Sequence, residues 1–181
     1  MRFFSRIGTV AAAATVLTGM TALQMTLVGI GNITDFATNQ EFVRHVLAMD
    51  TTFQSPNMMW RAITSPGLAD AAYIAIIAWE LLTALALVAG FAAWMRAHLA
   101  GRPPTTAKQL SNVGWVMQLT LFGVGFIAIG GEWFQMWQSS KWNGLQPAVH
   151  NLIIASFGLV VTHLAAKGSL RAADVPDDSS S

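Results

Sequence analysis

The chain has 181 residues, the length of one domain, yet 54% are hydrophobic and only 10% are charged, against about 25% charged in ordinary soluble domains. A formal net charge of +1, with no dense run of lysine and arginine, gives no reason to expect a nucleic-acid partner or a strongly acidic substrate. The absence of cysteine excludes disulfides, thiolate nucleophiles and thiolate metal sites. So much apolar surface fits lipid as the surrounding medium, where a spanning helix needs roughly 20 apolar residues.

The first span is expected at about residues 7–31. Arg2 and Arg6 ahead of it and Gly29-Ile30-Gly31 within it resemble a signal peptide, but the apolar run exceeds the about 7 to 15 residues of such a region and favours a retained span. Gly8, Ala12, Thr15, Gly19, Ala22, Thr26 and Gly29 recur at alternating intervals of four and three, which puts them on one stripe of a helix. Small side chains there let a neighbouring backbone come close, so this stripe is expected to be a helix-packing seam.

The loop over residues 32–70 is too long and too patterned for a plain connector. Thr38 or Asn39 is a candidate cap for an amphipathic helix beginning near Gln40, with Phe42, Val43, Val46, Leu47 and Met49 on one face and Glu41 one turn from His45. Ser55 and Pro56 signal a second short helix that runs through Trp60, Arg61 and Ile63 to a stop at Pro66.

The second span, about residues 71–95, carries Thr83, Ala86, Gly90 and Ala93 as a small-residue stripe and contains Glu80, the one acid well inside a span. Helix rise places Glu80 roughly 10 to 15 Å below the membrane surface. It must therefore be protonated, paired or wetted, and Gln24, a backbone carbonyl, Arg44 and Arg61 are the candidate partners. The third span, about residues 110–131, carries Ser111, Gln118, Gly125 and Glu132 at intervals of seven, a polar stripe expected to face the bundle interior throughout. After it comes a dense aromatic and polar stretch with Trp133, Trp137 and Trp142, which at headgroup depth form an aromatic belt or a surface for a partner. Trp94 and Trp115 are expected to serve as belt residues at the opposite surface. The fourth span, about residues 147–166, has Asn151, Ala155, Gly158 and Thr162 on one face, and residues 171–181 read as a disordered cytoplasmic tail after a single membrane domain over residues 1–170.

These elements describe an all-α, four-helix transmembrane bundle with amphipathic helices in a long first extracytoplasmic loop. Seven of the ten basic residues (Arg2, Arg6, Arg96, Arg102, Lys108, Lys167, Arg171) fall on one side and Arg44, Arg61 and Lys141 on the other. Both termini are accordingly expected in the cytoplasm.

Glu80, Arg61, Glu132 and His150 form a candidate functional polar cluster near the outer surface, and Trp60, Trp133, Trp137 and Trp142 are candidate contacts for a partner or a lipid. Their spacing matches no compact metal motif, and no nucleophile and base are visibly paired, so no metal ligand or catalytic residue is assigned. The four histidines, His45, His98, His150 and His163, offer no deep axial pair for haem, and no cofactor is expected.

NITD at residues 32–35, FVRHVLAMDTTF at 42–53, MWRAI at 59–63, AWE at 78–80 and GGEWFQMWQSSKWNG at 130–144 resemble a bacterial family of predicted small integral membrane proteins of unknown function. The resemblance covers nearly all of the chain except the tail; it implies four spans and a bacterial inner membrane, and no activity. The sequence thus favours a non-enzymatic accessory factor or complex subunit in contact with membrane lipid, whose outer cap binds a partner protein, a lipid or a hydrophobic carrier, and the assembly expected is with a membrane-protein partner or as a homo-oligomer. The alternatives are a small transporter or channel component using Glu80 for proton or cation coupling, and a haem or quinone anchor.

Overall fold

The computed structural model describes residues 8–173, with side chains to residue 165; Arg2, Arg6, the side chains of Lys167 and Arg171, and most of the expected tail lie outside it. The regular elements among the described residues are all helical: α1 (Val10–Thr34), α2 (Phe36–Ala48), α3 (Pro66–Ala100), α4 (Thr105–Leu119, continued by a π-helical segment, Thr120–Trp133) and α5 (Leu145–Ala173). Single 3-10 turns lie at Met59–Arg61 and Met136–Gln138. Four helices are long and apolar enough to cross a membrane: α1, α3, α4 with its continuation, and α5. Successive spans alternate in direction, α1 packs on α3, α3 on α4, α4 on α5 and α5 back on α1, and the result is a four-sided antiparallel bundle.

The bundle is held together where small residues let helices approach. Thr15, Ala22 and Gly29 of the expected stripe are buried, Ala12, Gly19 and Thr26 are half-buried, and Gly8 falls in a turn ahead of α1 and is exposed. The seam meets α3: a Cβ added at Gly19 would lie 2.7 Å from the Phe91 ring, and one at Gly29 would lie 2.6 Å from Leu81. The α3 stripe in turn meets α4, where a Cβ on Gly90 would fall 2.6 Å from Ser111 Oγ and 3.0 Å from its backbone nitrogen. Between α4 and α5, Gly158 admits the Trp115 ring, which would be 2.5 Å from a Cβ there. The close approach that the missing side chains permit replaces helix-lipid dispersion with helix-helix dispersion, the main attraction left when both surroundings are apolar.

Several sequence expectations are corrected. Trp94 and Trp115 are not belt residues: both are 0% exposed, and their indole N–H groups donate to Ser111 Oγ and Thr162 Oγ1, each at 3.1 Å. A neighbouring helix supplies a hydroxyl at the one polar atom of each ring, so the indole can enter the core. The seven-residue stripe faces inward at Ser111 and Gln118, both fully buried, but Gly125 is half-buried and Glu132 is exposed. Seven residues make about two turns only at 3.6 per turn; beyond Leu119 the wider π-helical turn takes the stripe out of phase.

The first loop also differs. α2 starts at Phe36 with Asp35 at its cap position, because Asp35 (φ −120°, ψ 59°) breaks the chain after a single residue. Thr38 donates instead to Asp35 Oδ2 at 2.8 Å, and Asn39 turns toward Asn32. The expected second loop helix shrinks to a turn on Ser55 O and one 3-10 turn, a length at which helix nucleation is not recovered by propagation. Pro66 does not stop a helix; it begins α3, at the first position where a missing N–H costs nothing, so α3 has 35 residues rather than those of about 71–95 alone.

The close approaches carry a prediction. Gly90→Ala and Gly158→Ala should each lower the unfolding free energy in detergent micelles by about 1 to 3 kcal/mol through overpacking, whereas Gly31→Ala, where a Cβ meets nothing within 4 Å, should leave it unchanged or raise it by up to about 1 kcal/mol. Equal losses at all three positions would remove the argument that these seams set the bundle.

Candidate functional site

At one end of the bundle the two longer connections, residues 49–65 and 134–144, fold against each other and against α2 to make a cap. Val46, Met49, Phe134 and Met136 are its buried centre, with Phe42, Leu47, Met58, Met59, Ile63, Trp142 and Leu145 packed around them. The connections are laced by hydrogen bonds: Thr51 Oγ1 donates to Ser139 Oγ at 2.8 Å, Phe53 N–H to Gln138 Oε1 at 2.8 Å, Trp142 N–H to Ser139 Oγ at 2.8 Å, and Ile63 N–H to Leu47 O at 2.8 Å. Among the described residues, the non-glycine positions with left-handed backbone are Met49 (φ 54°), Gln54 (φ 52°) and Gln135 (φ 56°), and all three lie in this cap. Such geometry is sparsely populated and persists where surrounding contacts over-determine it.

The surface of the cap is aromatic. Trp60 and Trp133 meet edge to face at 5.5 Å, and Phe53 and Trp137 do so at 5.9 Å. Arg61 lies 4.5 Å above the Trp133 ring and 5.4 Å from that of Trp60, and Nη1 donates to Trp133 O at 3.4 Å. The guanidinium therefore ties the first connection to the end of the α4 continuation by cation-π contact. Phe53 is 73% exposed and Trp60 68%, with Trp133 and Trp137 also open. Trp142 is turned inward, stacked on His45 at 4.7 Å and overlain by Lys141 Nζ at 4.6 Å.

Beside the rings lies a charged cleft of about 210 Å³ lined by Glu41, Arg44, His45 and Asp50 and by the start of α3. Arg44 makes a two-pronged pair with Asp70, Nε to Oδ1 and Nη2 to Oδ2, both at 2.9 Å. Donating to the Asp70 carboxylate holds the Arg44 guanidinium above its ordinary pKa, so it is charged at every physiological pH. His45 stands between Asp50, 2.7 Å from Nδ1, and Glu41, 3.6 Å from Nε2.

Glu80 lies beneath the cap and is 3% exposed. Its partner is neither Gln24 nor an arginine: Asn32 Nδ2 donates to Glu80 Oε2 at 2.7 Å, Asn39 Nδ2 donates to Asn32 Oδ1 at 2.6 Å, and Tyr73 Oη donates to Asn32 O at 3.2 Å. A directed chain of amides thus runs from the surface at Asn39 to the carboxyl of Glu80 and ties α1, α2 and α3 together. Arg44 is engaged by Asp70 and Arg61 by the tryptophans, while Glu132 and His150 are both exposed. Glu80, Arg61, Glu132 and His150 share no described hydrogen bond or ion pair, and among the described residues no three His, Asp or Glu side chains are placed to hold a metal. His98 meets Thr15 Oγ1 at 2.8 Å, and His163 Nδ1 lies 2.9 Å from Leu159 O of its own helix. Asn32, as the partner of Glu80, is the residue of this site that sequence reasoning missed; its signal was its place three residues beyond Gly29, on the same face of α1.

Removing only one member of this chain should cost more than changing its charge. Asn32→Leu is expected to lower stability by about 1 to 3 kcal/mol because Glu80 is left buried without a donor, whereas Glu80→Gln keeps an acceptor for Asn32. Adding Glu80→Leu to Asn32→Leu should recover part of the loss. Chemical unfolding of the parent, Asn32→Leu, Glu80→Gln, Glu80→Leu and the double leucine variant in one detergent checks this, and strict additivity of the two leucine substitutions would dissolve the coupling.

No curated protein and no solved structure matches this chain. A family model described as "Predicted small integral membrane protein (DUF2165)" matches residues 10–165, a stretch that takes in all four spans and the whole cap. The chain is therefore a member of this family of small integral membrane proteins.

Proposed function

We propose that this protein is a non-enzymatic accessory subunit of the membrane whose cap docks another membrane component, with both termini cytoplasmic and the cap on the opposite side. The orientation rests on the excess of lysine and arginine at the other end of the bundle. The observation that carries the docking reading is the construction of the cap: open aromatic rings, paired at 5.5 and 5.9 Å and bridged by Arg61, on a scaffold held by cross-loop hydrogen bonds and three left-handed residues. Tryptophan and arginine on rigid supports are the side chains that most often dominate binding surfaces, since little conformational freedom is lost on contact. Anchoring at the headgroups accounts for single rings but does not require the two connections to be locked together.

Affinity purification in mild detergent tests it. The parent chain should bring down a second component in stoichiometric amount, and Trp60→Ala combined with Trp133→Ala should lose it while helix content stays unchanged. Recovery of the parent chain alone would defeat the proposal.

A further inference from the structure

Of the two arginines in the cap, Arg44 is matched by its own chain and Arg61 is not. Arg44 pairs with Asp70 and Glu41, and His45 stands against Asp50 and Glu41. Among the described residues no carboxylate comes within ion-pair distance of Arg61. Its one hydrogen bond is the 3.4 Å contact to Trp133 O, and its Nε is shut off from solvent without an acceptor. Glu132, the residue before Trp133, is exposed and makes no described ion pair with it. Cation-π contact with Trp133 and Trp60 holds the guanidinium in place but brings it no oxygen. A half-buried guanidinium partly stripped of water is costly unless an anion is supplied, and its fork of N–H donors suits the paired oxygens of a phosphate or a carboxylate.

The surroundings choose between the two. Trp133 ends the span Thr105–Trp133, so the arginine lying on its ring is at the depth of the lipid headgroups. Ala128, five residues earlier and so one π-helical turn below Trp133, is exposed, as is Ile129 beside it. An unmatched cation at headgroup depth above an open hydrocarbon wall fits a molecule with a phosphate at one end and acyl chains beneath. A carboxylate on a partner protein would need the cation but not the wall.

We propose that Arg61, held by Trp60 and Trp133, binds the phosphodiester of an anionic phospholipid whose acyl chains run down the face at Ala128 and Ile129. The unmatched positive charge favours a headgroup that carries no ammonium of its own. This inference rests on the cap as a docking surface and names the component that the cap takes at this point.

The probes are phosphatidylglycerol and diacylglycerol with the same acyl chains, which share a body and differ in the phosphate. Each is added to the delipidated full chain in mild detergent, and retention is followed by native mass spectrometry. Phosphatidylglycerol should be retained, and diacylglycerol should bind about ten-fold more weakly for loss of a charge-assisted contact. Arg61→Gln should reduce phosphatidylglycerol to the level of diacylglycerol, and Arg61→Lys, a point charge without the fork, should restore only part. Lys141→Gln, which removes a different cap cation, should leave retention unchanged. The parent's choice between the two lipids needs no variant and stands as a test even if Arg61→Gln loosens the cap. Equal retention of the two lipids by the parent, or an equal loss in Lys141→Gln and Arg61→Gln, overturns the proposal. So does displacement of phosphatidylglycerol by inorganic phosphate at constant ionic strength, which would give the site to a free anion. A stoichiometric protein that is captured by the parent and lost in Arg61→Gln, with no preference between the lipids, would give the arginine to a partner's carboxylate; this inference would then fail while the docking cap stood. Recovery of the parent with neither protein nor lipid would defeat both.

Discussion

Lipid offers no hydrogen bonds, and the structure of this protein follows from having to supply them internally. Threonines and serines inside the spans return their hydroxyls to their own helices: Thr15 to Ala11 O at 2.8 Å, Thr18 to Ala14 O at 2.7 Å, Thr26 to Ala22 O at 2.7 Å, Thr83 to Trp79 O at 2.7 Å and Ser156 to Leu152 O at 2.8 Å. With its one proton committed to Ala11, the Thr15 hydroxyl accepts from His98, whose Nε2 therefore carries a proton. The two buried tryptophans solve the same problem between helices. Trp79 solves it for the backbone, since its indole N–H donates to Met117 O at 2.9 Å close to where α4 changes pitch and regular carbonyl partners are interrupted.

Satisfied polar groups permit close packing, and close packing is what small residues then exploit. Gly90 against Ser111 and Gly158 against Trp115 are not independent of the hydrogen bonds, because Ser111 also receives Trp94 and Trp115 also reaches Thr162. Each seam is therefore a joint of shape and chemistry: Gly158 opens space for the Trp115 ring that Thr162 holds, and Gly90 opens space for the serine whose hydroxyl holds Trp94. The cap follows the same logic under wetter conditions, with Ser139 receiving both Thr51 and Trp142 while Met136 and Phe134 fill the volume beneath.

The sequence exposed the parts of this design that repeat. Four apolar runs, the four-and-three spacing on α1 and the small residues of α3 and α5 are periodic, and periodicity is what a helix imprints on a sequence. What stayed hidden were events set by single residues or by contact between distant segments. Asp35 breaks a helix without a proline or glycine to announce it. Nothing in the run from Thr120 to Trp133 signals a wider turn, so an inward stripe was projected onto Glu132, which is exposed. Asn32 looked like the edge of a loop and became the partner of Glu80 because α1 runs three residues beyond Gly31. The crowding of aromatics around Trp133 was legible, but their pairing with Phe53 and Trp60 depends on how two loops far apart in the chain cross.

The change of pitch in α4 has one more implication. Each i to i+5 bond encloses one residue more than its α-helical counterpart, so the azimuth at which Trp133 leaves the membrane is counted from Gln118 in wide turns rather than narrow ones. Gaining or dropping a single residue along that stretch would swing everything after it by roughly a quarter turn, carrying Trp133 off Trp60 while Gln118 stayed at Asn151. Chain length between these two points is thus a ruler for the angular alignment of the loops, and natural variation in the family should leave that interval intact even where its side chains drift.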